Sequence, residues 1–151
     1  MKNILPTVSV VIPTFNEEKN IGACLKSIFK QSYSGGKIEV IVVDDKSTDR
    51  TVEIVKKFPV KILTSGARHG EISKMIGFKQ ASGEFTMYLD ADNGLIGREW
   101  FEKMTKPLIE DKTIIGVFTC EGASKRDSAV ERYLSFDPLQ RDGLYQYFSP
   151  S

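Results

Sequence analysis

Ile38-Glu39-Val40-Ile41-Val42-Val43-Asp44-Asp45 is almost wholly apolar until it meets two aspartates. A run without polar alternation fits a strand buried on both faces, as in a parallel sheet covered by helices. Upstream, Val8-Ser9-Val10-Val11-Ile12 is a β-branched run that Pro13 is expected to stop. Downstream, Val60 to Leu63, Phe85 to Leu89 and Ile114 to Thr119 read as a third, fourth and fifth strand. Helical patterns lie between them. Ile21, Cys24, Leu25, Ile28 and Phe29 share one helix face, with Asn16 as expected N-cap and Glu17 and Glu18 in the first turn. Val52, Val55 and Phe58 mark a helix capped by Ser47 or Thr48 and stopped by Pro59, and a third runs from about Glu71 to Ala81. Trp100, Phe101, Met104 and Leu108 mark another, kinked or broken near Pro107. The alternation predicts an α/β domain: an open, mainly parallel sheet with helices on both faces.

The 151 residues suit one domain with a real core, and 40% apolar and 27% charged residues are ordinary for a soluble globular chain. A formal net charge of +1 gives no hint of a nucleic-acid or membrane-wide electrostatic footprint, and no nucleic-acid partner is expected. Cys24, on an apolar helix stripe, and the distant Cys120 read as reduced core residues. Met1 to Thr7 does not read as a signal peptide, so none is expected, and no apolar run approaches a membrane span. The expected compartment is the cytoplasm, with peripheral membrane association compatible.

Open parallel sheets bind ligands outside the carboxyl ends of their strands. Here those ends are Pro13-Thr14-Phe15-Asn16-Glu17, Asp44-Asp45, Thr64 to His69, and Asp90-Ala91-Asp92-Asn93, all polar or charged. A purely structural chain has no reason to gather so many carboxylates along one edge. Asp90 and Asp92, two apart in extended backbone, point the same way. About 6 Å apart at an effective dielectric near 20, they repel by roughly 3 kcal/mol. A hard cation relieves this, and Mg²⁺ or Mn²⁺ binds through one or two carboxylates while leaving positions for phosphate oxygens. Neither a Gly-x-Gly-x-x-Gly turn nor a Gly-x-x-x-x-Gly-Lys-Ser/Thr loop follows the first strand, which argues against an NAD enzyme or a P-loop nucleoside triphosphatase.

Four segments in order carry a resemblance: Val10-Val11-Ile12-Pro13-Thr14-Phe15-Asn16-Glu17-Glu18, Val42-Val43-Asp44-Asp45-Lys46-Ser47-Thr48-Asp49, Ala81-Ser82-Gly83-Glu84-Phe85, and Leu89-Asp90-Ala91-Asp92. Over about residues 8 to 120 the chain resembles the amino-terminal half of a family 2 glycosyltransferase. The resemblance implies a GT-A fold and a nucleotide-diphospho-sugar donor carrying UDP or GDP. It places Pro13, Thr14 and Glu17 along the base and ribose pocket. Asp45, with Asp44 ranked below it, accepts hydrogen bonds from the base. Lys74 falls where the family has a basic residue near the nucleotide, Asp90 faces the ribose or metal, and Asp92 ligates the metal on the diphosphate. Each has a plainer role too: Asp44 can serve its own loop, Lys74 can be a solvated helix lysine, and His69 an incidental loop histidine.

The resemblance also implies an inverting, metal-dependent transfer to an acceptor such as polyprenyl phosphate or a growing glycan, with a membrane-associated partner or homo-oligomer compatible. The family's general base lies well beyond the Asp-x-Asp pair, and Glu121, Asp127 and Asp137 match no family motif. The expected organisation is a nucleotide-sugar-binding domain over 1–120 and, over 121–151, the start of a truncated acceptor and catalytic part. The alternative is a non-catalytic nucleotide-sugar-binding module without its base. A GT-A-like nucleotidyltransferase is disfavoured, since no Gly-rich, basic triphosphate loop follows strand one.

Overall fold

The computed structural model describes residues 5–117. Eight elements follow in chain order: β1 (Thr7–Thr14), α1 (Ile21–Phe29), β2 (Lys37–Asp44), α2 (Thr51–Val55), β3 (Lys61–Thr64), α3 (Gly70–Gln80), β4 (Phe85–Tyr88) and α4 (Trp100–Glu110). The four strands form one sheet in the order β3-β2-β1-β4, every pair parallel. The first compact unit ends at Gly116. Among the described residues no helix is long and apolar enough to cross a membrane.

The order explains where the helices lie. The chain steps from β1 outward to β2 and β3, then returns past β1 to lay β4 on its other side. Parallel crossovers are right-handed, so connections running in opposite directions put their helices on opposite faces. On one face Val8, Val10 and Ile12 of β1 and Val40 and Val42 of β2 pack with Ile21, Cys24, Leu25 and Ile28 of α1, Val55 of α2 and Phe101 of α4. On the other, Val11, Ile41 and Val43 meet Ile76 of α3. Both faces of the central strands are therefore covered, as their uninterrupted apolar runs require. Each fully buried aliphatic chain contributes about 1.5–3 kcal/mol through area removed from water.

Several local expectations change. Pro13 does not stop β1, which runs to Thr14 in register with β2. Thr14 C=O accepts the Asp45 N–H at 2.9 Å, whereas Val11 C=O accepts the Leu89 N–H at 2.9 Å. Backbone groups of even-numbered residues thus face β2 and those of odd-numbered residues face β4. The N–H that Pro13 lacks falls on the β4 side, beyond the last pair of that ladder at Val11 and Tyr88.

Asn16 does not cap α1. Its φ is +54°, and its Oδ1 accepts the Thr48 N–H at 2.8 Å. Helix α1 starts later, with the Asn20 and Ile21 N–H groups on Glu17 C=O at 3.0 and 2.9 Å. Neither Ser47 nor Thr48 caps α2; Asp49 Oδ1 accepts the Thr51 N–H at 2.9 Å, so the helix starts at Thr51. Helix α4 runs through Pro107 to Glu110, giving up only the bond onto Lys103 C=O. The fifth strand is not formed over 114–117. Asp111 turns the chain there by accepting the Thr113 N–H at 2.9 Å, and Ile115 is left 85% exposed. A β-branched run needs a neighbouring strand to stay extended. Residues 118 and 119, Cys120, Glu121, Asp127, Asp137, the helix expected over 127–135 and the boundary at 120 lie outside the described residues.

Candidate functional site: a cleft at the carboxyl ends of β1, β2 and β4

Between β1 and β4 the strand order reverses. This opens a crevice at the carboxyl edge. A cleft of about 460 Å³ lies there, lined by Pro13, Thr14, Phe15, Glu17, Asp45, Arg68, His69, Gly70, Ser73, Asp90, Ala91 and Asp92. Six of the eight expected site residues meet in it: Pro13, Thr14, Glu17, Asp45, Asp90 and Asp92. Asp44 and Lys74 do not line it.

The acidic side of the cleft follows from β4. Just past its end at Tyr88 the chain turns, with the Asn93 N–H donating to Asp90 C=O at 3.0 Å, so that Ala91 is buried while Asp90 and Asp92 are exposed. Beneath them lies Cys24 of α1, whose Sγ approaches Asp90 C=O at 3.8 Å. Burial pushes the Cys24 thiol up to about 12, and the charges of Asp92, Asp90 and Glu17 push the same way. All three carboxylates line the cleft. Among the described residues none of the three belongs to an ion pair.

The opposite wall is built differently. Asp45 is buried, and Ser65 Oγ donates to its Oδ1 at 2.9 Å, with Ser73 Oγ donating to Ser65 Oγ at 2.9 Å. The Arg68 backbone N–H holds the Asp45 carboxyl below its ordinary value against the opposing effect of burial, helped by Ser65, the His69 backbone and the Arg68 charge. Arg68 reaches this position with φ +49°. Gly70, the first residue of α3, brings the partial positive charge of a helix amino terminus to the cleft.

Asp44, 5% exposed, turns into its own loop, where Oδ2 accepts the Ser47 N–H at 3.1 Å. Its Oδ1 and the hydroxyl of Thr14, its register partner on β1, are buried without a hydrogen-bond partner. Thr14 is one of the residues lining the cleft, and a buried polar group without a partner calls for an explanation. Lys74 Nζ lies 2.9 Å from Glu71 and 3.9 Å from the centroid of the Tyr88 ring. Partial burial pulls its pKa down, but the Glu71 hydrogen bond and the Asp90 charge leave it raised overall.

Sequence reasoning missed Phe15, Arg68, Gly70 and Ser73 and set His69 aside. The signal available was position: Arg68 and His69 belong to the loop leaving β3, one of the four carboxyl ends already marked. Ser73, 1% exposed, carried no signal beyond lying one turn into α3.

Among the described residues no three His, Cys, Asp or Glu side chains form a closed metal cluster. Two exposed, unpaired carboxylates in one cleft fit a different pattern, in which Mg²⁺ or Mn²⁺ takes one or two carboxylates and completes its shell with phosphate oxygens and water.

The sequence model of "Glycosyl transferase family 2" matches residues 9–148. Glycosyltransferase AglE of Haloferax volcanii is 33% identical over 147 residues, covering 93% of this chain and 48% of that protein. The crystal structure of Staphylococcus aureus TarS 1-349 in complex with UDP superposes with a TM-score of 0.66 at 29% identity, over 81% of this chain and 38% of that one. Mannosyltransferase PcManGT from Pyrobaculum calidifontis, solved with GDP-Man and Mn²⁺, gives 0.58 at 31% identity over 62% of this chain and 29% of that one. This chain therefore spans half or less of the length of these relatives. A parallel sheet flanked by helices, a cleft at its reversal point and a family match over nearly all its residues lead to one conclusion: the chain has the GT-A fold and belongs to glycosyl transferase family 2.

Proposed function

We propose that the cleft binds the nucleotide-diphosphate part of a UDP- or GDP-sugar, and that the complete protein transfers the sugar to an acceptor in a metal-dependent, inverting reaction. The observation that carries this is the division of the cleft into an unpaired acidic side, Glu17, Asp90 and Asp92, and a wall bearing Asp45 and the Arg68–Gly70 backbone. Pro13, Thr14 and Glu17 bound the base and ribose, with the unmet Thr14 hydroxyl supplying one hydrogen bond. Asp45, held ionised, accepts from the base, and Asp44 supports its loop. Lys74 acts on the cleft through the charge of Asp90. Asp90 and Asp92 would hold Mg²⁺ or Mn²⁺, which when bound neutralises the charge developing on the departing diphosphate.

Calorimetric titration with UDP and with GDP, each with and without Mn²⁺, tests this directly. Mn²⁺-dependent binding of one nucleotide, weakened at least about tenfold in Asp92→Ala, is expected from loss of one charged contact. Equal binding by Asp92→Ala and the parent in Mn²⁺ defeats the metal assignment. Binding of neither nucleotide defeats the donor site.

A further inference from the structure

Three consecutive backbone N–H groups after β1 are held by side chains from the loop after β2 and from Thr51, the first residue of α2. Asn16 N–H donates to Ser47 Oγ at 2.9 Å, Glu17 N–H to Thr51 Oγ1 at 2.7 Å, and Glu18 N–H to Asp49 Oδ2 at 3.1 Å. The second loop is tied back in the same way. Thr48 N–H donates to Asn16 Oδ1 at 2.8 Å, and Arg50 N–H to Glu18 Oε2 at 3.0 Å. The two loops interlock like the halves of a zipper, and each carries cleft residues: Phe15 and Glu17 on one, Asp45 on the other.

Thr51 sits at the centre. It is fully buried, does not line the cleft, and its hydroxyl accepts the Glu17 N–H while donating its own proton to Asp49 Oδ1. One side chain therefore sets both the backbone of Glu17 and the carboxylate that takes the next amide. In a half-buried loop without helical hydrogen bonds, such side-chain bonds are what distinguish one backbone conformation from its neighbours.

We infer that Thr51 is a positioning residue for nucleotide binding, fixing Glu17 at the cleft through the loop-to-loop zipper; this rests on the donor-site reading above. Thr51→Val keeps the shape and removes both hydrogen bonds, while Thr51→Ser keeps the hydroxyl. The expected result is nucleotide affinity about tenfold weaker in Thr51→Val and within about twofold of the parent in Thr51→Ser. A Thr51→Val protein with parent-like circular dichroism and parent-like affinity overturns the inference, as does a serine variant no better than the valine one.

Amide hydrogen exchange at Glu17, followed by NMR without ligand, separates this inference from the donor-site reading. Exchange accelerated about tenfold or more in Thr51→Val but not in Thr51→Ser supports the zipper even if the parent binds no nucleotide, in which case only the donor-site reading fails. Unchanged exchange overturns the positioning role. Should the valine variant not fold, Ser47→Ala opens the neighbouring link: faster Asn16 exchange together with weaker nucleotide binding supports the zipper, and no change in either overturns it.

Discussion

Gly77→Ala tests how closely α3 is seated on the sheet. Alanine is the better helix former by about 1 kcal/mol, so propensity alone predicts a more stable protein. The structure predicts the reverse. A methyl group at Gly77 would lie 2.2 Å from Val11 Cγ1, 3.1 Å from its Cγ2 and 3.2 Å from its Cβ. Carbon atoms rest at about 3.5–4.0 Å, so the nearest approach is short by about 1.5 Å. Val11 cannot turn aside easily: it is fully buried in β1, and a β-branched chain has few χ1 choices. Overpacking of this kind costs about 1–3 kcal/mol, and the severity of the overlap favours the upper end. After subtracting the propensity gain, the variant should lose about 1–2 kcal/mol, moving the urea midpoint down by about 1 M.

The same contact supplies a control. Val11→Ala removes both methyls that meet the new one and alone should cost about 2–3 kcal/mol. If the loss in Gly77→Ala is steric, the double variant should be more stable than the sum of the single effects predicts by about 1–2 kcal/mol. A Gly77→Ala protein as stable as the parent, or strictly additive effects, would refute the close seating of α3.

Gly83 also approaches β1 closely, and an added methyl would meet Ser9 N and Oγ, each at 2.7 Å; Gly83→Ala should cost more than 2 kcal/mol in urea unfolding. Thr14→Val removes a buried hydroxyl that has no partner, so thermal stability should hold or rise slightly while nucleotide affinity in calorimetry falls about tenfold. Asp45 is held below its ordinary value of 3.8, so its contribution to stability is complete above that pH and is lost as pH falls through the lower folded value. The melting temperature of Asp45→Asn should therefore fall less steeply than the parent's on acidification below that point.

The architecture was legible because burial on both faces leaves an unmistakable pattern in Val40 to Val43 and Val8 to Ile12. The site was legible as an edge, because strand ends can be located from where apolar runs stop. What escaped was how the loops use their polar residues. Asn16, Ser47 and Thr48 look like helix caps, since capping and loop-to-loop bonding call on the same short oxygen- and amide-bearing side chains. Only the three-dimensional meeting of two loops 31 to 34 residues apart decides between them. Gly83 had a similar ambiguity. In sequence it ends a helix; in the fold it donates its N–H to Ser9 Oγ at 2.8 Å and admits β4 beside β1. Lys74 does not line the cleft; its ammonium group lies 2.9 Å from Glu71 and over the Tyr88 ring, contacts that only the fold reveals.

The strand order also has a consequence in time. Residues 7–14 can find β2 across the short α1 connection, but they meet 85–88 only after two further strands and three helices have been made. Closing that longer span costs about 0.8 kcal/mol more in chain entropy than closing the first. On a ribosome, the partial sheet of β3, β2 and β1 emerges before the Asp90 segment does. Non-local pairing is the slow step of such topologies, so Asp90 and Asp92 join the cleft last. A partly folded chain therefore presents Glu17, Asp45 and the β3 loop before Asp90 and Asp92 join them at the cleft.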